Sequence, residues 1–590
     1  MSEEKKLMYN VKAETMEEFR ELALQAKASG ATHVYVSDLP RSWWMWARDF
    51  KDPYPNWCMG HAQIFKLVCP PELEDYLPVD FIHECFALVK ERCDILKEIG
   101  LKPAMHSNEP FWLPEQVYRD HPSWRGARCD HPRRATKPYY SPCVDNPEVL
   151  GMYRRAVCEL VKATGIDYIS FMSNDSGGGL CWSNGTYVGP NGPECCRTRS
   201  MSDRVCGFVN AITDGAAEAG VQITVSFNAN IGFKEEEIGA NVAWHSARDH
   251  QIINGRDNKG RRPVAMLNRH GDWIHGIPDI FQLAQSLGGA LDENKRYISL
   301  YLGKDDFNED WEYLKVAAGK EAHSWLDYME NVHSVAAHLV GDALADQLTD
   351  AFYYIYEGEQ HFSHDGLGLI MYGCYHQRWI NRPFVLFPEE LAEEDRSYYR
   401  RFQFQALDEA HANDLMDMQN IECARGFSAA FLLSETSKKA IASFNKAIGK
   451  LDEIIGATAD ESVKAKCEML IRRLKVYQSL MKTCANAAAF QDLKDRTDFD
   501  YVPPLECRWP TRNDPRIEQF QNITRAEIDN AYELADLIEG YEKQIFNVTD
   551  EEHEDIFTFG PHLAAQIRRK AEIMLDRQLD ANRVYERHNI

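Results

Sequence analysis

Residues 147–172 read PEVLGMYRRAVCELVKATGIDYISFM, and this stretch decides the fold. Its first part repeats apolar residues at helical spacing, with Pro147 at the start and Gly165 just past the end. Proline suits the first turn of a helix, and glycine tolerates the left-handed turn that closes one. After Gly165 the pattern changes to a short β-branched and aromatic run, 167–172, which predicts a strand. A helix followed at once by a buried strand is one step of a β/α alternation.

The step recurs on both sides. Residues 16–29 predict a helix and 32–38 a strand, with 64–69 as a further strand candidate. Residues 81–99 form a helix pattern stopped by Gly100 and followed by a strand at 102–106. Segments 203–219 and 221–227 repeat the pair across Gly220. Later strand candidates are 263–267, 296–302 and 352–356. Close to eight strands spaced by helices predict an α/β fold, a (β/α)8 TIM barrel with long loops over residues 1–400. A doubly wound open sheet is the alternative, but no Gly-rich phosphate loop follows the first strand. From Phe402 strand-like runs stop, and 436–455, 461–490, 524–541 and 562–586 read as long helices. Residues 401–590 are therefore expected to form an all-helical C-terminal domain, with a proline-rich linker at 497–515.

Composition narrows the function classes. The 590 residues carry 66 Lys and Arg against 91 Asp and Glu, a net charge of −25 that opposes binding to nucleic acid or to anionic membranes. A 44% hydrophobic content with 13 Trp suffices for a large core. No 18-residue apolar run and no secretory h-region are present, so the expected location is cytoplasmic, with reduced thiols. Cys129, Asp130, His131 and Cys143 hint at a metal, but no CxxC pair exists, and neither metal nor cofactor is expected.

In such a barrel the active site lies where the strands end. The polar residues found there are Asp38, then His106, Asn108 and Glu109, then Asn174 and Asp175, then Asn228 and Asn230. Arg269, His270 and Asp272 follow a later strand, then Asp305 and Asp306, and Glu357 and Glu359 follow the last. Convergent carboxylates, amides, imidazoles and Arg suit a pocket that binds and cleaves sugars. Trp43 in the first loop and Trp182 in the fourth are candidate platforms for pyranose rings. The densest segment runs Asn174-Asp175-Ser176-Gly177-Gly178-Gly179 to Gly189-Pro190-Asn191-Gly192-Pro193 and Arg197.

A strand ending in an acid, a loop with Gly-Pro-x-Gly-Pro spacing and a downstream Arg resembles the α-glucuronidases acting on xylan fragments. It is also similar to the related β-N-acetylhexosaminidase clan. The resemblance implies that Asp175 is the general acid, that Asn174 contacts a 2-substituent, and that the helical C-terminal domain forms a homodimer. Asn174-Asp175 departs from the Asp-Glu pair of the second group by an amide and a methylene. The partner carboxylate is expected to be Glu357, then Asp272, then Glu109. Asn174, Trp182, Arg197, Glu109, His106, Asn228, Arg269, His270 and Trp43 are expected to bind substrate, with Arg197 and Arg269 suited to a uronate carboxylate. The function expected is an exo-acting glycoside hydrolase on oligosaccharides bearing a uronide- or hexosaminide-type sugar. Two alternatives stay open: a metal-dependent barrel lyase or isomerase using His106, Glu109, His245 and His270, and a non-catalytic carbohydrate-binding protein.

Overall fold

The computed structural model describes residues 5–43, 51–55, 62–110, 112–128, 139–173, 199–228, 241–267, 274–302, 307–364, 379–400, 426–497, 515–548 and 559–584. The chain forms two compact units. The first takes in residues 1–268, 286–302 and 318–320; the second takes in 269–285, 303–317 and 321–590.

The first unit is built on a nine-stranded sheet. Eight strands are parallel: β1 Lys6–Asn10, β2 His33–Tyr35, β3 Lys102–Asn108, β4 Tyr168–Met172, β5 Thr224–Asn228, β6 Gln251–Ile253, β7 Val264–Leu267 and β8 Tyr297–Tyr301. Their spatial order is β7-β8-β1-β2-β3-β4-β5-β6, so the last strand bonds to the first. The short strand Arg256–Asp257 turns back antiparallel on β6. Among the described residues, β6 and β7 are the one sequential pair not hydrogen-bonded to each other.

The sheet curls around its own side chains. Met8, Tyr35, Ala104, Tyr168, Ile252 and Tyr297 form one buried cluster, with Val264 packed against it. Tyr297 on β8 reaches Thr224 on β5, with the two hydroxyl oxygens 3.2 Å apart. In a flat sheet five strand spacings would hold those strands roughly 24 Å apart. Curvature is therefore required.

The helices that cover this sheet are set by local signals. Pro147–Thr164 starts on Asn146, whose side chain accepts from the Glu148 and Val149 amides, and stops at Gly165 with φ 73°. Val79–Ile99 stops at Gly100 with φ 84°. Both glycines occupy the left-handed region, where a side chain would be strained.

Four sequence expectations change. The candidate strand at 64–69 is a short helix, Ile64–Leu67, whose four residues are all buried and so show no periodicity. The candidate strand at 352–356 lies within the helix Ala345–Glu359. Its buried residues Leu348, Phe352, Ile355 and Glu359 recur at helical spacing, and the run of aromatics between them imitates a strand. Two of the eight parallel strands went unanticipated: β1, which begins on charged Lys6, and β6, three residues long.

The second unit has a helical C-terminal region with the helices Gly426–Ala457, Glu461–Asp495, Pro515–Ile538 and Leu563–Asp576. Inside it the fully buried Lys570 ammonium lies 2.5 Å from the Glu527 carboxylate and also donates to the Trp379 and Ile380 carbonyls. Glu527 accepts in addition from Thr483 and Asn486. A buried pair is tolerable when its remaining donors and acceptors are satisfied in this way. No helix among the described residues is long and apolar enough to cross a membrane.

Candidate active site

All eight parallel strands point the same way, so their C-terminal ends share one rim. Asn10 ends β1, paired in register with Tyr301 at the end of β8 and Tyr35 at the end of β2. Asn10 is buried, and its Oδ1 has no partner among the described residues. Burial pushes the Tyr301 hydroxyl up to about 12, and the charge of Asp38 adds to this.

Beyond β2, Ser37 Oγ accepts from the His106 amide at 2.9 Å. Arg92, on the helix Val79–Ile99 and fully buried, donates to the carbonyls of Val36 and Asp38 and to that of Ala13. This guanidinium fixes the backbone from which Asp38 projects. At the end of β3, burial lowers the His106 imidazole, and Asp38 lifts it part of the way back. His106 Nδ1 and Asn108 Oδ1 are buried without partners among the described residues. The rim continues through hydrogen bonds from the Glu109 amide to Met172 O, 3.0 Å, and from the Ser173 amide to Asn228 O, 2.9 Å. Native interiors seldom leave polar atoms unpaired, which makes this rim a candidate surface for polar ligands.

Glu109 stands just behind this rim. Its Oε1 accepts from the Ile64 amide at 2.7 Å and Ser107 Oγ at 3.1 Å, and its Oε2 from the Tyr153 hydroxyl at 3.0 Å. Burial pushes its carboxyl up to about 7 in spite of these donors. A side chain so enclosed can hold a proton near neutral pH.

Of the residues expected from sequence, His106 and Asn228 lie on the β3–β5 part of the rim, with Glu109 just behind it. Trp43 packs at 5.9 Å from Phe81, with the Lys51 ammonium 3.6 Å from its ring centroid. Glu357 stands on the helix Ala345–Glu359, not at a strand end, where its Oε2 accepts from Ser443 Oγ at 2.6 Å and lies 3.6 Å from the Lys446 ammonium. Asn174, Asp175, Trp182, Arg197, Arg269, His270 and Asp272 lie outside the described residues. His245 stacks against Trp244 in a short turn. Among the described residues no three His, Cys, Asp or Glu side chains gather as metal ligands.

Sequence reasoning passed over Asn10, Tyr301 and Arg92. Asn10 requires β1 to be recognised. Tyr301 is the last residue of its strand and is masked by the acids Asp305 and Asp306 after it. Arg92 reads as a surface charge on an amphipathic helix and nothing in the sequence marks it as buried.

No protein-family model matches the chain, and no curated protein matches it. Solved structures do match. A GH138 enzyme targeting pectin rhamnogalacturonan II aligns over 92% of this chain and 63% of its own, at 10% identity and a TM-score of 0.52. The chain thus spans less than two thirds of that enzyme's length. A GH36 alpha-galactosidase from Geobacillus stearothermophilus, in complex with 1-deoxygalactonojirimycin, aligns over 59% of this chain and 42% of its own, at 11% identity and a TM-score of 0.28. The first likeness is one of fold alone, and the second is too weak to bear on it.

Proposed function

We propose that the chain is a glycoside hydrolase whose curled sheet closes into a (β/α)8 barrel, with the active site on the rim that carries Asn10, Asp38, His106, Asn108 and Asn228. The observation that carries this reading is the curled sheet in which the last parallel strand, β8, bonds to β1, with buried atoms of Asn10, His106 and Asn108 left without partners among the described residues at its C-terminal ends. In barrels of this kind chemistry sits at that end. The fold shared with an enzyme targeting pectin rhamnogalacturonan II supports a saccharide substrate.

Asp175, three residues beyond β4, is the proposed general acid, and Asp272, five residues beyond β7, the proposed partner carboxylate. Glu357 ranks behind Asp272, because the strand end that recommended it is a helix. The acid donates a proton to the glycosidic oxygen as the bond to the anomeric carbon breaks. The second carboxylate either attacks that carbon or takes a proton from the attacking water. Asn174, Trp182, Arg197, Arg269 and His270 are proposed substrate contacts beside His106, Glu109, Asn228 and Trp43. The resemblance of the Asp175 loop to α-glucuronidases and β-N-acetylhexosaminidases supports exo-cleavage of a uronide- or hexosaminide-type unit. A cytoplasmic setting and a dimer through residues 401–590 belong to the same proposal.

The test is turnover of a nitrophenyl glycoside panel, uronides and N-acetylhexosaminides included, by the wild type and by Asp175→Asn. Hydrolysis by the wild type and its loss in a folded variant are expected; wild-type turnover in Asp175→Asn would overturn the assignment.

A further inference from the structure

Beside the rim, Tyr54, Gln63, Lys66, Leu77, Glu109 and Trp112 help to line a small cavity with room for about one water-sized group. Gln63 is 2% exposed, and neither its Nε2 nor its Oε1 has a partner among the described residues. An amide left in that state costs about 1–3 kcal/mol for each unmade bond, so a guest that satisfies it is favoured. Gln63 offers a donor and an acceptor side by side. A matching guest must accept and donate through one small group.

Charge narrows the guest further. The Lys66 ammonium is 2.5 Å from the Asp52 carboxylate, and both side chains are fully buried, so the cation is already neutralised. Glu109 adds a carboxyl that is negative or neutral and never positive. A carboxylate or phosphate entering here would lose its hydration without meeting a net positive charge. Trp112 adds apolar surface, held edge-on by Tyr54 at 5.8 Å and by Tyr139 at 6.4 Å. A neutral hydroxyl on a carbon skeleton meets all three conditions.

We propose that this cavity is a subsite that seats one hydroxyl of a neutral saccharide unit, with Gln63 as the residue that selects for it. The inference rests on the glycosidase reading only for the class of ligand. Arg197 and Arg269 remain the proposed partners of any acidic group, so the subsite and the uronate clamp hold different parts of a substrate.

The test is binding, measured on the full chain by saturation-transfer NMR with methyl glucosides, galactosides, xylosides and rhamnosides, and with methyl galacturonoside as the charged comparator. At least one neutral glycoside is expected to bind. Gln63→Leu is expected to weaken it about tenfold, the scale of one lost buried hydrogen bond. One monodeoxy analogue should bind the wild type about tenfold more weakly than its parent, and Gln63→Leu should no longer distinguish the two. The proposal is overturned if no neutral glycoside binds, or if Gln63→Leu with a wild-type Tm binds the parent sugar as the wild type does. Should Gln63→Leu not fold, the deoxy series decides: equal binding of every analogue to the wild type also overturns it. Because turnover is not read, a chain that binds these glycosides but hydrolyses none of the nitrophenyl panel overturns the catalytic reading and leaves the subsite standing.

Discussion

His33 Nε2 lies 2.8 Å from Asp167 Oδ1, tying the start of β2 to the residue before β4 across the intervening β3. Asp167 Oδ2 is also 3.0 Å from the Lys102 ammonium and 3.7 Å from that of Lys6, at the starts of β3 and β1. One carboxylate thus gathers four neighbouring strands at their N-terminal ends, and its bonds are made within the protein. The opposite rim carries the unpaired Asn10, His106 and Asn108 atoms. The N-terminal ends are thus tied together within the protein, and the opposite rim is the one proposed to meet a ligand.

Asp167→Asn should therefore lower stability and leave chemistry at the other rim unchanged. Burial opposes ionisation of Asp167, but the hydrogen bond and charge of His33 together with Lys6 and Lys102 outweigh it and hold the carboxyl well below the usual range. A depressed folded value means stability that is present above the unfolded pKa of about 3.9 and is lost as pH falls through the folded one. The variant should lose on the order of 2 kcal/mol at neutral pH, the scale of a charged hydrogen bond. Urea midpoints should show this gap narrowing below about pH 4.

Glu109 predicts the opposite sign. Its carboxyl rises from an ordinary 4.5 to about 7, so the folded state binds the proton more tightly than the unfolded chain. The resulting stability is complete below the unfolded value and is lost as pH rises through 7. Between pH 5 and pH 8 the wild type should lose about 2.5 kcal/mol relative to Glu109→Gln, which cannot titrate. Denaturant midpoints at the two pH values check it, and parallel curves for the two proteins would contradict it.

His106 reports on Asp38. Burial alone pushes the imidazole down, and the Asp38 charge offsets part of that. Asp38→Asn should accordingly move the His106 titration to lower pH. Carbon-13 NMR of labelled histidine would read the shift, and an unmoved titration would show that the two side chains do not share a field.

Much of the first unit was legible from sequence because glycine stops are local. Gly100 and Gly165 close their helices in left-handed turns, and the short run after each is the strand that the structure contains. The rim residues His106 and Asn228 followed from that reading. What failed depended on neighbours instead of on spacing. β1 exists because β8 and β2 flank it, and no pattern within Lys6–Asn10 announces that. Gln63 and Lys66 sit in a turn buried on every side, where polar character suggests a surface. Arg92 is buried because its donors meet carbonyls from three loop residues, Ala13, Val36 and Asp38, far apart in the chain.

Glu357 and Asp175 separate the two ways of choosing a catalytic carboxylate. Glu357 was favoured by its place after an aromatic run, but that run is helical, and the carboxylate is engaged by Ser443 and Lys446 on the helix Gly426–Ala457. A group held by a serine hydroxyl and a lysine within a helix pair has a structural occupation already. Asp175 follows β4, a strand of the curled sheet, three residues past its end. Glu357→Gln should keep kcat/KM on the hydrolysed nitrophenyl glycoside within about twofold, since surface polar changes away from chemistry have small effects. Asp175→Asn should lower kcat by about 10²–10⁴, the usual contribution of a general acid. A fall of that size in Glu357→Gln, with its Tm unchanged, would return Glu357 to the reaction and displace Asp272 as the partner.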